Sequence, residues 1–176
     1  MATSTDQHGA PRPGRLARFL HAAAGIRPTA RLSKSFHVAV FRASRGAVMG
    51  RWFGAPVLII ETTGRRSGRR RRTPVTFCEV NSAWIALAIN AGSERTPSWW
   101  LNLRDAGQAV ILLPGRRIPV STREARDEER ERLWRAYAAQ TPIIEEFCAY
   151  TDRTIPVVVL ERLANEPQAV RSHGRD

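Results

Sequence analysis

Between residues 56 and 90, three strand-like runs follow one another with only turns between them, and this constrains the fold more than any other feature. The first run, 56–63, carries the apolar stretch Val57-Leu58-Ile59-Ile60. The second, 71–80, alternates, with Thr73, Val75, Phe77 and Glu79 on one side and Arg72, Pro74, Thr76 and Cys78 on the other. Asn81-Ser82 marks a tight turn before the third, 84–90. Strands joined by short turns pair antiparallel, because a parallel pair needs a long crossover. A hairpin follows, 109–113 and 117–123 around Pro114-Gly115, and 155–160 is a last strand. Helices are expected at 97–105, opened by Thr96-Pro97, at 127–139, capped by Asp127, and at 142–150. The expectation is a mainly β protein with flanking helices (α+β). Its core is an antiparallel barrel of about six strands, closed to protect its edges.

A chain of 176 residues suits one domain with a real core. Residues 1–13, polar and proline-containing, are expected to be disordered. Residues 14–50 read as a basic helical segment, with one amphipathic helix at 15–24 and another over 30–49. Residues 51–163 form the barrel domain and 164–176 a polar tail. No run reaches the ~20 apolar residues that span a membrane, and the N-terminus has no signal-peptide core. The cytoplasm is therefore the expected compartment. The basic N-terminal helices suit peripheral contact with the anionic inner membrane face, or simple packing over the barrel. Two cysteines and four histidines lack ligand spacing, so no metal is expected.

The turn between the first two strands reads Gly64-Arg-Arg-Ser-Gly-Arg-Arg-Arg-Arg72. Arginine meets phosphate and carboxylate through a planar fork of donors. With a net charge of +12, the chain needs a polyanionic partner: nucleic acid, an anionic membrane, or a phosphorylated or poly-acidic small molecule. The turn is neither a Walker A motif nor a dinucleotide fingerprint. From composition alone, a solvated basic loop explains it as well as an anion site. No recognition helix, aromatic RNP pattern or zinc module supports specific nucleic-acid binding.

A second constellation is Asn90-Ala91-Gly92 followed by Pro97-Ser98-Trp99-Trp100, a strand leading through a glycine loop into a helix N-terminus. Its N–H groups favour an anion, and a tryptophan can stack on a flat ring or anchor the core. No Ser-His-Asp arrangement and no Gly-x-Ser-x-Gly elbow is present. With so few nucleophiles and bases, an enzyme of this sequence needs a cofactor to carry its chemistry.

Four motifs in order resemble the deazaflavin-dependent nitroreductase family. They are the stretch from Gly54 through Gly64-Arg-Arg-Ser-Gly68, then Arg71 with Pro74, then Pro97-Ser-Trp-Trp-Leu-Asn-Leu103, then Thr151-Asp-Arg-Thr-Ile-Pro-Val-Val-Val159. The resemblance runs from about residue 50 to 163. It implies a split β-barrel of the FMN-binding-like type. It also implies coenzyme F420, whose parts are an 8-hydroxy-5-deazaflavin ring, a ribityl chain, a phosphodiester and an oligoglutamate tail. Arg65, Arg66 and Ser67 would then meet the phosphate and tail. Arg71, Arg72, Thr73, Pro74, Val75 and Thr76 would line the strand beside the cofactor. Leu87, Ala88, Ile89 and Asn90 would flank the ring, and Ser98, Trp99, Trp100, Leu101 and Asn102 would close the site. The implied reaction is hydride transfer from reduced F420 to a hydrophobic, electron-poor acceptor such as a quinone, enone or nitroaromatic.

The chain also departs from that family. Thr141, Ile144 and Phe147 stand where substrate-side tyrosines are expected, Ile89 replaces a serine, and Thr76 or Phe77 replaces a strand tyrosine. Thr76, Ser98 and Thr141 are the remaining candidate proton donors, with water as a fourth. The loss of the phenols leaves a second reading open, a non-catalytic protein that binds or sequesters F420.

Overall fold

The computed structural model describes residues 50–52 and 54–164, with positions 36, 38–41 and 43. The expected disordered start, the helix at 15–24 and the polar tail beyond 164 lie outside the described residues. Eight strands and three helices follow in chain order. They are β1 (Arg51–Trp52), β2 (Ala55–Thr63), β3 (Arg70–Thr76), β4 (Cys78–Val80), β5 (Ala83–Leu87), α1 (Ser98–Ala106), β6 (Gln108–Leu113), β7 (Arg116–Glu124), α2 (Asp127–Gln140), α3 (Ile143–Cys148) and β8 (Val157–Arg162). A single 3₁₀ turn, Asn90–Gly92, follows β5.

Every pairing is antiparallel. The path runs β1-β2-β6-β7-β8-β5-β4, and β3 pairs with the other edge of β2. β3 and β4 are separated by Phe77 alone, so the two ends of the path meet and the sheet closes on itself. The expected single strand 71–80 is thus broken at Phe77. There the chain leaves β2, with Phe77 N–H still donating to the Pro56 carbonyl at 3.0 Å, and joins β5. Counting β3 and β4 as one strand that changes partner gives the expected six, with the two-residue β1 as an addition. The strand expected over 84–90 ends instead at Leu87, because residues 90–92 turn left-handed.

Side-chain alternation separates an inside from an outside. Leu58 and Ile60 of β2, Trp84 and Ala86 of β5, and Val158 and Leu160 of β8 share one core cluster with Trp99, Trp100 and Leu103 of α1. These residues fill the barrel interior, and α1 contributes to its packing. The alternate residues Ile85, Leu87, Val157 and Val159 point the other way and are covered by Leu133 and Tyr137 of α2 and Ile144 and Phe147 of α3. Both faces of these strands are therefore buried, which explains their continuous apolar character.

The outer face of β2 is covered differently. Ile59 packs against Val38 and Phe41, with Leu112 alongside. The described positions between 36 and 43 are helical. Part of the N-terminal segment thus packs on the barrel, although Phe36 remains 62% exposed. Among the described residues no helix is long and apolar enough to cross a membrane.

Helix boundaries shift slightly from expectation. Pro97, rather than Thr96, is the N-cap of α1, and Gly107 ends it in the left-handed conformation at φ 68°. Arg126, rather than Asp127, occupies the N-cap position of α2. The acidic first turn Asp127, Glu128 and Glu129 still complements the helix dipole.

Phe41 is 2% exposed and bridges the N-terminal segment to β2. Phe41→Ala is expected to cost about 3–5 kcal/mol, as large-to-small core substitutions do. Urea unfolding followed by tryptophan fluorescence would show this as a lowered midpoint with an unchanged slope.

Candidate active site

The arginine turn is closed by its own backbone. Gly64 N–H donates to Arg69 O at 2.9 Å, while Ser67 and Gly68 N–H donate to Gly64 O at 3.0 and 2.8 Å. A Cβ on Gly64 would sit 2.8 Å from Ser67 Oγ and 3.3 Å from Arg69 O, so only glycine fits this fold-back. Asn102 ties the turn to α1. Its Oδ1 accepts from Arg65 N–H at 3.2 Å, and its Nδ2 donates to Thr62 Oγ1 at 3.2 Å.

The six arginines of the turn are not equivalent. Glu61, 7% exposed and inward of the turn on β2, accepts from Arg72 Nε at 2.8 Å and from Arg117 at 3.0 Å, with Arg70 at 3.6 Å. Burial alone would push the Glu61 pKa up. Hydrogen bonds from Arg72 and Arg117 and the charges of Arg72 and Arg70 outweigh this and hold it below the ordinary value. Arg65 lies 3.8 Å from Asp105. Among the described residues, Arg66, Arg69 and Arg71 have no acidic partner; Arg71 reaches only Ser67 Oγ, at 3.5 Å. The turn thus holds a neutralised base and three guanidinium groups free to meet an outside anion.

Beyond β5 the backbone is strained. Asn90, Ala91 and Gly92 have φ of 54°, 51° and 75°, so two non-glycine residues adopt the left-handed region in succession. Arg153 holds this turn from below. Its Nε donates to Ser93 O at 2.9 Å, and its Nη2 donates to Ala88 O and Ile89 O at 2.8 and 2.7 Å. Burial lowers the guanidinium's pKa, against the opposing effect of Glu94. Its Nη1 is buried without a partner. A Cβ on Gly92 would meet Phe147 O at 2.4 Å, so this glycine sets the close approach of α3 to the turn.

Three hydroxyls gather at the other end of β3. Thr76 Oγ1 lies 2.5 Å from the Tyr137 hydroxyl, which also donates to Thr76 O at 3.2 Å. Tyr137 is 1% exposed, and burial pushes its phenol up to about 12, with the Thr76 and Thr141 hydroxyls pulling the other way. Thr141, 2% exposed, follows α2 directly; its Oγ1 acts on the Tyr137 phenol without making a well-formed hydrogen bond.

A family model for F420H(2)-dependent quinone reductases matches residues 33–162. The chain is 30% identical over 130 residues to the F420H(2)-dependent quinone reductase Rv1261c of Mycobacterium tuberculosis, covering 72% of this chain and 87% of that one. It is 29% identical over 105 residues to the putative F420H(2)-dependent quinone reductase Rv3178 of the same organism, covering 60% of this chain and 88% of the relative. A solved F420-H2 dependent reductase, FDR-A, superposes with a TM-score of 0.56 at 31% identity, over 60% of this chain and 94% of that one. The chain belongs to the F420H(2)-dependent quinone reductase family. It is an oxidoreductase with the split-barrel fold, and its cofactor is coenzyme F420.

The cofactor fits what the quinone-reductase fold offers here. A turn with three unneutralised arginines suits a phosphorylated, glutamylated tail, and Arg153 Nη1 is an orphaned donor beside the turn at Asn90–Gly92. The structure brings Arg65, Arg66, Ser67 and Arg71 to one turn and joins it to Asn102. It commits Arg72 to Glu61. Trp99 and Trp100 are both core residues, at 8% and 3% exposure, so of the two expected roles both take that of core anchor. Leu87, Ala88 and Ile89 are buried and Asn90 is half-buried. Ser98 is the exposed first residue of α1. Ile144 and Phe147 pack in the outer core beneath α2 and α3.

Tyr137 and Arg153 escaped the sequence reading. The signal for Tyr137 was its helical spacing: Leu133, Tyr137 and Thr141 recur every four residues and so share one face. Arg153 lay inside the motif Thr151–Val159, which marked its position without giving it a role.

Glu61→Gln should cost about 1.5 kcal/mol near neutral pH, the lower end for hydrogen bonds to charged groups, because its arginine partners remain partly solvated. The folded-state pKa is lowered, so the Glu61 contribution is present above the unfolded value of about 4.3 and is lost as pH falls through the folded value. Denaturation curves of both proteins should differ at pH 7 and converge well below pH 4.3.

Proposed function

We propose that the protein transfers a hydride from reduced F420 to a hydrophobic two-electron acceptor, a quinone by preference, with activated enones and nitroaromatics as the wider class. The observation that carries this reading is the division of charge in the turn. Glu61 holds Arg72, with Arg70 and Arg117 sharing its single charge, while Arg66, Arg69 and Arg71 have no acidic partner among the described residues. A polyanionic tail is the ligand such a rim selects.

In this reading Arg65, Arg66, Ser67 and Arg71 hold the phosphate and glutamates, with Arg69 added by its position. The strand from Arg71 to Thr76, including Thr73, Pro74 and Val75, runs beside the cofactor, and Arg72 acts there through Glu61 rather than on the tail. Leu87, Ala88, Ile89 and Asn90 border the ring, the Ala88 and Ile89 carbonyls being fixed by Arg153. Ser98 to Asn102 at the start of α1 close the site, with the Ser98 and Trp99 N–H groups at the helix N-terminus and those of Trp100 and Leu101 committed to the Pro97 carbonyl. Bound and reduced, the cofactor supplies the hydride.

What remains for the chain is alignment and exclusion of water. Thr141, Ile144 and Phe147 are assigned to the acceptor side by their place in the family motif; all three are buried, and two of them are apolar. A flat, weakly hydrated quinone suits that wall better than an acceptor needing several polar contacts. Reduction of a quinone also consumes a proton, and Thr76 with Thr141 are the hydroxyls at hand.

Titration with oxidised F420, followed by tryptophan quenching, tests the assignment. Arg66→Ala and Arg71→Ala should each weaken binding about tenfold, equivalent to about 1.4 kcal/mol. The loss should shrink as salt rises. Arg72→Ala should affect stability more than affinity. A wild-type protein that fails to bind F420, or that binds it and reduces no quinone, would sink this reading.

A further inference from the structure

We propose that Tyr137 and Thr76 form a two-hydroxyl relay that supplies the proton for acceptor reduction, Thr76 meeting the acceptor and Tyr137 acting through it. The inference rests on the reductase reading above. It deepens that reading by naming a residue from α2 that restores a phenol to a site lacking the expected tyrosines.

Counting protons carries the argument. A phenol has one proton, yet the Tyr137 hydroxyl has two acceptors in reach, Thr76 Oγ1 at 2.5 Å and Thr76 O at 3.2 Å. When the proton points to the carbonyl, the Thr76 hydroxyl must donate to the phenol, and its own proton faces inward. When the phenol turns to Thr76 Oγ1, the Thr76 proton is released to face outward. The same two oxygens therefore hold the relay in a resting and a donating arrangement without moving a heavy atom. The burial pattern gives the direction: Tyr137 is enclosed, while Thr76 is half-buried at the end of β3, beside the partner change at Phe77.

The titratable and polar groups around the phenol agree. Thr76 on β3, Thr141 at the end of α2 and Cys78 on β4 act on it. The Cys78 thiol is itself pushed up to about 11 by burial. All stay neutral at ordinary pH, so the phenol remains a donor throughout the working range.

The step balances as follows. The acceptor gains two electrons and a hydrogen as hydride from the reduced deazaflavin, leaving a negative oxygen. That oxygen takes the Thr76 proton as the Thr76 O–H bond breaks. Thr76 takes the Tyr137 proton as the phenolic O–H bond breaks, and after the product leaves the phenolate recovers a proton from water through the half-buried Thr76 hydroxyl. Thr76 is the catalytic residue in this scheme, and Tyr137 is a positioning and relay residue.

The test compares Tyr137→Phe, Thr76→Ser and Thr76→Val with wild type. Tyr137→Phe should bind oxidised F420 within about twofold of wild type, and the Thr76 variants are compared at saturating F420. Tyr137→Phe and Thr76→Val should each lower single-turnover reduction of a soluble naphthoquinone by about a hundredfold, the lower end for general acid catalysis. Thr76→Ser should keep most of the rate, and Tyr137→Phe with Thr76→Val should be no slower than Thr76→Val alone. The solvent isotope effect should change in Tyr137→Phe, which a packing role would leave alone. A readout without cofactor is proton NMR of the Tyr150→Phe background, where Tyr137 is the one tyrosine left in a chain that has two. A slowly exchanging hydroxyl resonance should show a contact to Thr76 and move in Thr76→Val. If Tyr137→Phe does not fold, Thr76→Val decides. Wild-type rates in either relay variant, with F420 bound, overturn the relay and leave the reductase reading standing. A wild-type protein that reduces no acceptor overturns both, even if the hydroxyl resonance is found.

Discussion

The buried carboxylate of Glu61 makes the rest of this molecule workable. Six arginines in nine residues would repel one another at the mouth of a small barrel. Glu61 lies opposite Arg72 in the β2–β3 register and receives Arg117 from β7 on the same side. One anionic side chain thereby ties three strands together and draws positive charge inward. The guanidinium groups left at the rim are then available because others have been satisfied. Removing the carboxylate would leave the turn more positive but less organised, and charge alone does not make a receptor.

The closed sheet depends on a second local event, the change of partner at Phe77. A strand that leaves one neighbour for another seals a barrel without a crossover, and it costs one unpaired position. The same position places Thr76 at the end of its strand. There its side chain meets α2 instead of a neighbouring strand. The fold and the proposed relay meet at this residue, since the break that closes the barrel also presents the Thr76 hydroxyl to Tyr137.

Much of this architecture was legible in the sequence. The apolar run Val57–Ile60, the turn at Asn81-Ser82 and the hairpin at Pro114-Gly115 placed the strands, and period-two alternation gave their two faces. The break at Phe77 was not legible, because Thr73 to Glu79 alternates without interruption and only partner choice divides it. Ile89 and Asn90 read as strand because their apolar and polar character fits one. The left-handed run that ends the strand is imposed by Arg153, more than 60 residues away. The anion-binding turn was visible as charge, but its internal division needed the position of Glu61. Tyr137 was overlooked because the comparison of positions marked where hydroxyls had disappeared, and a phenol supplied from a different helix falls outside such a comparison.

The contrast between the two loops of the site bears on how this protein can change. The arginine turn closes on its own backbone and projects into solvent, so added length would alter its reach without disturbing the barrel. The turn at Asn90–Gly92 is clamped on three carbonyls by Arg153 and pressed against the Phe147 carbonyl. One inserted residue there would break every clamp at once. On the proposed reading, variation in cofactor-tail length would be met at the open turn. The region by the ring can be retuned only by exchanging side chains on a backbone of fixed length.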